Sequence, residues 1–185
     1  MSPTLLSKAR FKRLSSLCGF ACIAAAIVLP VMTTASWAVG DAESIIETSI
    51  LRGDVARYFP DGVLPMQRIA GAIVTLIPSL TFSYGLLRAG QALSAFSRGL
   101  FFSREVQSHL TAYAACMFFT ALAGFIEEPL LSVAVTLSNP PGHRLLSVSV
   151  TTTQVLWLIS AGVLWLITSV AAHGSALARE NEQFV

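Results

Sequence analysis

The chain has 185 residues, 54% of them hydrophobic and 12% charged, with a mean hydropathy of +0.69 and a formal net charge of +2. Soluble domains carry about 25% charged residues, so half that share, together with apolar runs of about 20 residues, sets the chain among bilayer proteins. The small charge and the confinement of both lysines, Lys8 and Lys12, to the first segment leave no basic face, so direct nucleic-acid binding is not expected.

Residues 1–14 hold Lys8, Arg10, Lys12 and Arg13, and an apolar run follows from Leu14 to about Ala38. Two readings fit it. A basic start, an apolar core and Ala35-Ser-Trp-Ala38 have the form of a cleavable signal peptide with an A-x-A-like site. A retained transmembrane helix, kinked near Pro30 and anchored at the interface by Trp37, uses the full length of the run and is the expected state. Both readings leave the N-terminus inside. Cys18, Cys22 and Cys116 all lie in apolar segments and read as small buried hydrophobes; no metal site is expected.

Residues 40–68 form the first loop, with Asp41, Glu43, Glu47, Asp54 and Asp61 against Arg52, Arg57 and Arg68. Ile45, Ile46, Ile50 and Leu51 recur at helical spacing behind Asp41, a suitable N-cap. A short amphipathic helix over 41–52 on the outer surface is predicted, ended by Gly53, with a turn at Tyr58-Phe-Pro-Asp-Gly62. The second span is expected over 69–87, kinked at Pro78, with Ser79, Thr81 and Ser83 bonding the freed backbone groups.

Arg88 to Glu105 is the one long basic connector between two strongly apolar segments. Arg88, Arg98 and Arg104 oppose only Glu105. Its apolar residues follow a helical stripe, which predicts that part of it lies in the headgroup region. Gly99 breaks the stripe, and Ser103 caps the next helix. The third span is expected over 106–126, with Glu127-Glu128-Pro129 marking the outer water interface. Ser132-Val-Ala-Val-Thr-Leu-Ser138 and Arg144-Leu-Leu-Ser-Val-Ser-Val-Thr151 alternate about Asn139-Pro-Pro-Gly142, which predicts a small extracytoplasmic β-hairpin over 131–152. The fourth span follows over 153–172, with Trp157 and Trp165 on nearly one face and Ala161-Gly162 permitting close helix approach.

The N-terminal segment, the connector and the C-terminal tail carry eight Lys or Arg, and the two remaining loops four. The positive-inside bias therefore predicts both termini in the cytoplasm. The fold class is thus an all-α membrane protein of one domain, with four transmembrane helices, both ends inside, and a hairpin between helices 3 and 4.

Three pieces together, Gly99-Leu-Phe-Phe-Ser-Arg-Glu105, Leu146-Ser-Val-Ser-Val150 and Ala178-Arg-Glu-Asn-Glu-Gln-Phe-Val185, resemble an uncharacterised bacterial family of four-helix inner-membrane proteins filed as a domain of unknown function. The resemblance spans nearly the whole chain. It implies a bacterial inner-membrane location and a cytoplasmic helix-turn-helix transcription regulator as partner, since members are often encoded beside one, and it carries no catalytic residues.

No Gly-rich phosphate loop, His-Glu-x-x-His, Gly-x-Ser-x-Gly or paired-Cys motif is present, and no enzyme, metal or cofactor is expected. The expected role is a non-catalytic membrane sensor or sequestering partner. The alternative is a small oligomeric transporter or exporter of a hydrophobic substrate. The lipid bilayer is an expected partner, and a homo-oligomer is a further one. The candidate interaction residues are Arg98, Phe101, Phe102 and Arg104 in the connector and Glu180, Glu182 and Phe184 in the tail. Arg98 and Arg104 are expected to pair with Glu180 and Glu182 or with anionic lipid, and the two phenylalanines to anchor the connector.

Overall fold

The structure is a computed structural model that describes residues 3–51, 53–100 and 103–182, with side chains described within 10–173. In chain order the helices are α1 (Pro3–Val39), α2 (Ala42–Thr48), α3 (Val55–Tyr58), α4 (Pro65–Ser97), α5 (Arg104–Thr136) and α6 (Thr152–Glu182). Among the described residues, α1, α4, α5 and α6 each contain a stretch long and apolar enough to cross a membrane. Both α4 and α5 have 33 residues. At 1.5 Å per residue each is about 50 Å long against a hydrocarbon core of about 30 Å, so several turns project beyond it.

The long helices stand in an open row. α1 packs on α4, α4 on α5 and α5 on α6, and the first two interfaces are the more extensive. Small residues set the spacing. A Cβ built on Gly90 would meet the Gly19 carbonyl oxygen at 2.9 Å, and the Ser15 hydroxyl donates to the Leu93 carbonyl at 2.6 Å. Ala89, Ala92 and Ala95 are buried, with Ala92 and Ala95 packing against Val106 at the base of α5. The stripe expected to lie in the headgroup region is therefore the last turns of α4, held upright by its neighbours. Its end is local chemistry. Gly99, at φ +88°, turns the chain while the Leu100 and Gly99 N–H groups bond the Ala95 and Phe96 carbonyls, a Schellman motif. Ser103 then caps α5, its Oγ accepting from the Val106 N–H at 3.2 Å.

The opposite end carries a folded cap. Asp41 caps α2, accepting from the Ser44 N–H at 3.1 Å. Hydrogen bonding from the Ser44 side chain and backbone holds its carboxyl below the usual carboxylate range. α2 stops at Thr48, short of the predicted Gly53, and a second small helix, α3, starts from Asp54. Ile45, Leu51, Tyr58 and Phe59 do not lie on a membrane surface. They are buried with Trp37, Leu131 and Val135 in one cluster. Trp37, expected as an interfacial anchor, is 2% exposed and forms part of this core. Arg68 closes α1, its guanidinium donating to the Trp37 and Gly40 carbonyls at 2.9 Å, where unpaired helix-end carbonyls attract a cation.

The β-hairpin expected over 131–152 does not form among the described residues. α5 runs on through Pro129 to Thr136, so the first arm is helical. The second arm, 143–150, has no regular secondary structure, and it bonds to α5 rather than to a strand. The Leu145 N–H donates to Thr136 Oγ1 at 3.1 Å and the Ser147 N–H to Ser132 Oγ at 3.0 Å. The Ser147 hydroxyl donates to Glu128 Oε1 at 2.6 Å, and the Ser149 hydroxyl to Glu128 Oε2. The match is geometric. Glu128, Ser132 and Thr136 recur every four residues, about 6 Å along a helix, and an extended chain repeats same-side residues every ~6.5 Å. The period-2 alternation is real, with Leu146, Val148 and Val150 exposed, but its partner is a helix face. Thr151 and Gln154 then form a capping box that starts α6, the Gln154 N–H donating to Thr151 Oγ1 and the Thr151 N–H to Gln154 Oε1.

Candidate functional site

Two polar regions sit at opposite ends of the row. The first is a cavity of about 280 Å³ below the cap, bounded by α1, the segment after α2, α4, α5 and α6. Trp37, Phe82 and Trp157 are its aromatic lining residues, and Phe82 and Trp157 meet in a tilted contact with centroids 4.9 Å apart. Seven hydroxyl residues line it, among them Thr33, Ser36, Thr75, Ser79 and Thr120, with Glu127 as the one acidic residue among those described. Thr120 and Glu127 are seven apart on α5, two helical turns, and so share a face.

The hydroxyls beside Pro78 do not repair the helix as expected. Proline at 78 leaves the Val74 carbonyl without its helical partner. Thr81 donates to Ile77, Ser79 lies 3.4 Å from Thr33 on α1, and Ser83 Oγ is buried with no partner among the described residues. Thr120 Oγ1 is likewise buried without one. Ser79 and Thr120 thus face the cavity rather than serving their own helices.

Glu127 and Glu128 do not sit in open water. Glu128 is 1% exposed, and both of its oxygens accept from serines of the extended segment. Glu127 is half-buried at the cavity and makes no hydrogen bond or ion pair among the described residues. Two adjacent carboxylates therefore have opposite situations, because helical neighbours point about 100° apart.

The second region lies at the connector end, where Arg88, Gln91, Ser94 and Ser97 of α4 face Glu105 and His109 of α5 across a groove. Arg88 Nε donates to the Tyr84 hydroxyl at 2.9 Å, its guanidinium carbon sits 5.0 Å from that ring's centroid, and a terminal nitrogen lies 3.3 Å from His109 Nδ1. A guanidinium only donates, so Nδ1 is the acceptor and the imidazole proton is on Nε2, 3.8 Å from Glu105. Sequence reading missed this chain of contacts. The i,i+4 pairs Tyr84/Arg88 and Glu105/His109 were its visible signal, but their meeting depends on how α4 and α5 pack.

Of the sequence-predicted interaction residues, Arg98 is the C-cap of α4 and Arg104 the first residue of α5. Both are exposed and neither makes an ion pair among the described residues. Phe101, Phe102 and Phe184 lie outside the described residues. Glu180 and Glu182 belong to α6, and their side chains are outside those described. The two tryptophans of α6 part company, Trp157 facing the cavity and Trp165 exposed at 53%. Of the cysteines, only Cys116 is buried, while Cys18 is exposed on α1. Comparison with protein-family models, with curated proteins and with solved structures finds no match.

Proposed function

We propose that the chain is a non-catalytic, four-span protein of a bacterial inner membrane, with both termini and the connector in the cytoplasm, that senses a signal on its outer side and holds a cytoplasmic transcription regulator at the membrane. The observation that carries this reading is the continuity of α5. One helix without a break runs from Arg104 at the connector to Thr136 in the cap. Glu128, Ser132 and Thr136 at one end bond the extended segment, and Glu105 and His109 at the other face Arg88. A change in the cap or the cavity would shift or rotate this rod, and hence the exposed Arg98 and Arg104. The distribution of Lys and Arg supports the orientation.

The test is affinity capture of the full chain, solubilised from its native cells, beside a form lacking residues 179–185. A DNA-binding regulator retained by the full chain and lost by the shortened one supports sequestration through the tail. Capture of other membrane subunits, or of the protein itself alone, favours the second reading, an oligomeric exporter of a hydrophobic substrate. One observation favours that alternative. The open row leaves apolar side chains such as Phe119, Ile126 and Trp165 exposed along the spans, and these could meet a second copy as well as lipid.

A further inference from the structure

We propose that the cavity beside Trp37 binds a small organic ammonium ion, with Glu127 as its counter-charge. The proposal names the ligand class of the sensor described above, and rests on that reading only for what binding would do.

Glu128 has both oxygens satisfied by serine hydroxyls, whereas among the described residues Glu127 makes no hydrogen bond or ion pair and no Lys, Arg or His lines the cavity with it. A half-buried carboxylate without a donor is only partly solvated, and a ligand that brings a positive charge offsets that loss. The walls select the kind of cation. A hard metal ion wants several oxygen ligands, and among the described residues one carboxylate lines the cavity, whereas Phe82 and Trp157 line it with aromatic rings of the kind that attract ammonium groups. The volume of about 280 Å³ lies at the small end for ligand pockets and suits a compact ion. Thr120 lines the same cavity, and its Oγ1 is buried without a partner among the described residues.

An ammonium could come from a soluble ion or from a lipid headgroup, and the experiment separates them. The full chain in dodecyl maltoside is titrated calorimetrically with choline and with its neutral tert-butyl analogue, in which carbon replaces nitrogen. In parallel, native mass spectrometry measures retention of phosphatidylethanolamine against phosphatidylglycerol. Choline binding at least about tenfold tighter than the neutral analogue, weakened at least about tenfold by Glu127→Gln and about twofold to tenfold by Thr120→Val, supports a soluble ammonium. Retention of phosphatidylethanolamine over phosphatidylglycerol by the native chain and not by Glu127→Gln supports a headgroup. Equal binding of choline and the neutral analogue, indifference of either preference to Glu127→Gln, or no choline binding together with no preference for phosphatidylethanolamine overturns the site. The melting temperature of each variant shows whether it is folded. None of these readouts involves the regulator, so failure here leaves the capture experiment standing, and failure there leaves this one.

Discussion

The indole of Trp37 fills the space a side chain at Gly71 would need: a Cβ built on that glycine lies 2.3 Å from the ring. α1 and α4 meet there with no slack, directly below the cap. Gly71→Ala should overpack this contact and destabilise the fold by about 1–3 kcal/mol, read as a lowered melting temperature in detergent. Adding Trp37→Phe, which shortens the intruding ring, should recover part of the loss.

The extended segment should answer to substitution with period 2. Ser147→Ala with Ser149→Ala leaves the buried Glu128 carboxylate without its donors, at about 1.5–3 kcal/mol for each charge-assisted bond lost. Limited proteolysis across 140–151 should accelerate. Leu146→Ala and Val148→Ala, on the exposed side of the same segment, should leave the proteolysis rate nearly unchanged.

Asp41 gives the cap a dependence on acid. Its carboxyl is lowered in the folded state by bonding to Ser44, so the ionised form is favoured by folding. The stabilisation is present above the ordinary value of 3.8 and is lost as pH falls through the lower folded value. Protection of the α2 amides, taken relative to their intrinsic exchange rates, should therefore fall on acidification below 3.8. In Asp41→Asn, which caps without titrating, that loss of protection should disappear.

Arg68 should be needed to hold the end of α1 in place. Arg68→Gln removes the cation that bonds the Trp37 and Gly40 carbonyls, and should cost about 1.5–3 kcal/mol in stability. The packing of α4 along α1 also predicts that protein purified from native membranes retains peptides from 14–37; their absence would favour the signal-peptide reading.

The existence of the four spans was legible because an 18-residue apolar window leaves few alternatives. Gly99 and Ser103 were legible too, since a left-handed glycine and a serine N-cap act through their own backbone neighbours. What failed were endings that depend on distant partners. Glu127-Glu128-Pro129 resembles a helix end, yet α5 continues because serines 19 and 21 residues downstream satisfy Glu128. The alternation at 144–151 predicts a hairpin strand, yet the segment has no regular secondary structure and bonds a helix face, whose repeat every four residues has nearly the spacing of a strand. Trp37 looked like an anchor because its position near a span end is typical of one. Only the missing side chain at Gly71, 34 residues away, makes room for it inside. The cavity draws on five separated segments, and Trp37, Ile50, Pro78 with Ser79, Glu127 and Trp157 each stand out in the sequence for a local reason, none of which points to a shared cavity.

The orientation of the row is the claim on which sensing depends, and it can be measured in whole cells. In a chain with Cys18, Cys22 and Cys116 replaced by alanine, single cysteines at Asp61 in the cap and Arg98 in the connector are treated with a membrane-impermeant maleimide. The account predicts that Asp61→Cys is labelled in intact spheroplasts and Arg98→Cys only after the membrane is opened. Labelling of Arg98→Cys in intact spheroplasts, with Asp61→Cys protected, would place the cap and its cavity in the cytoplasm and contradict it.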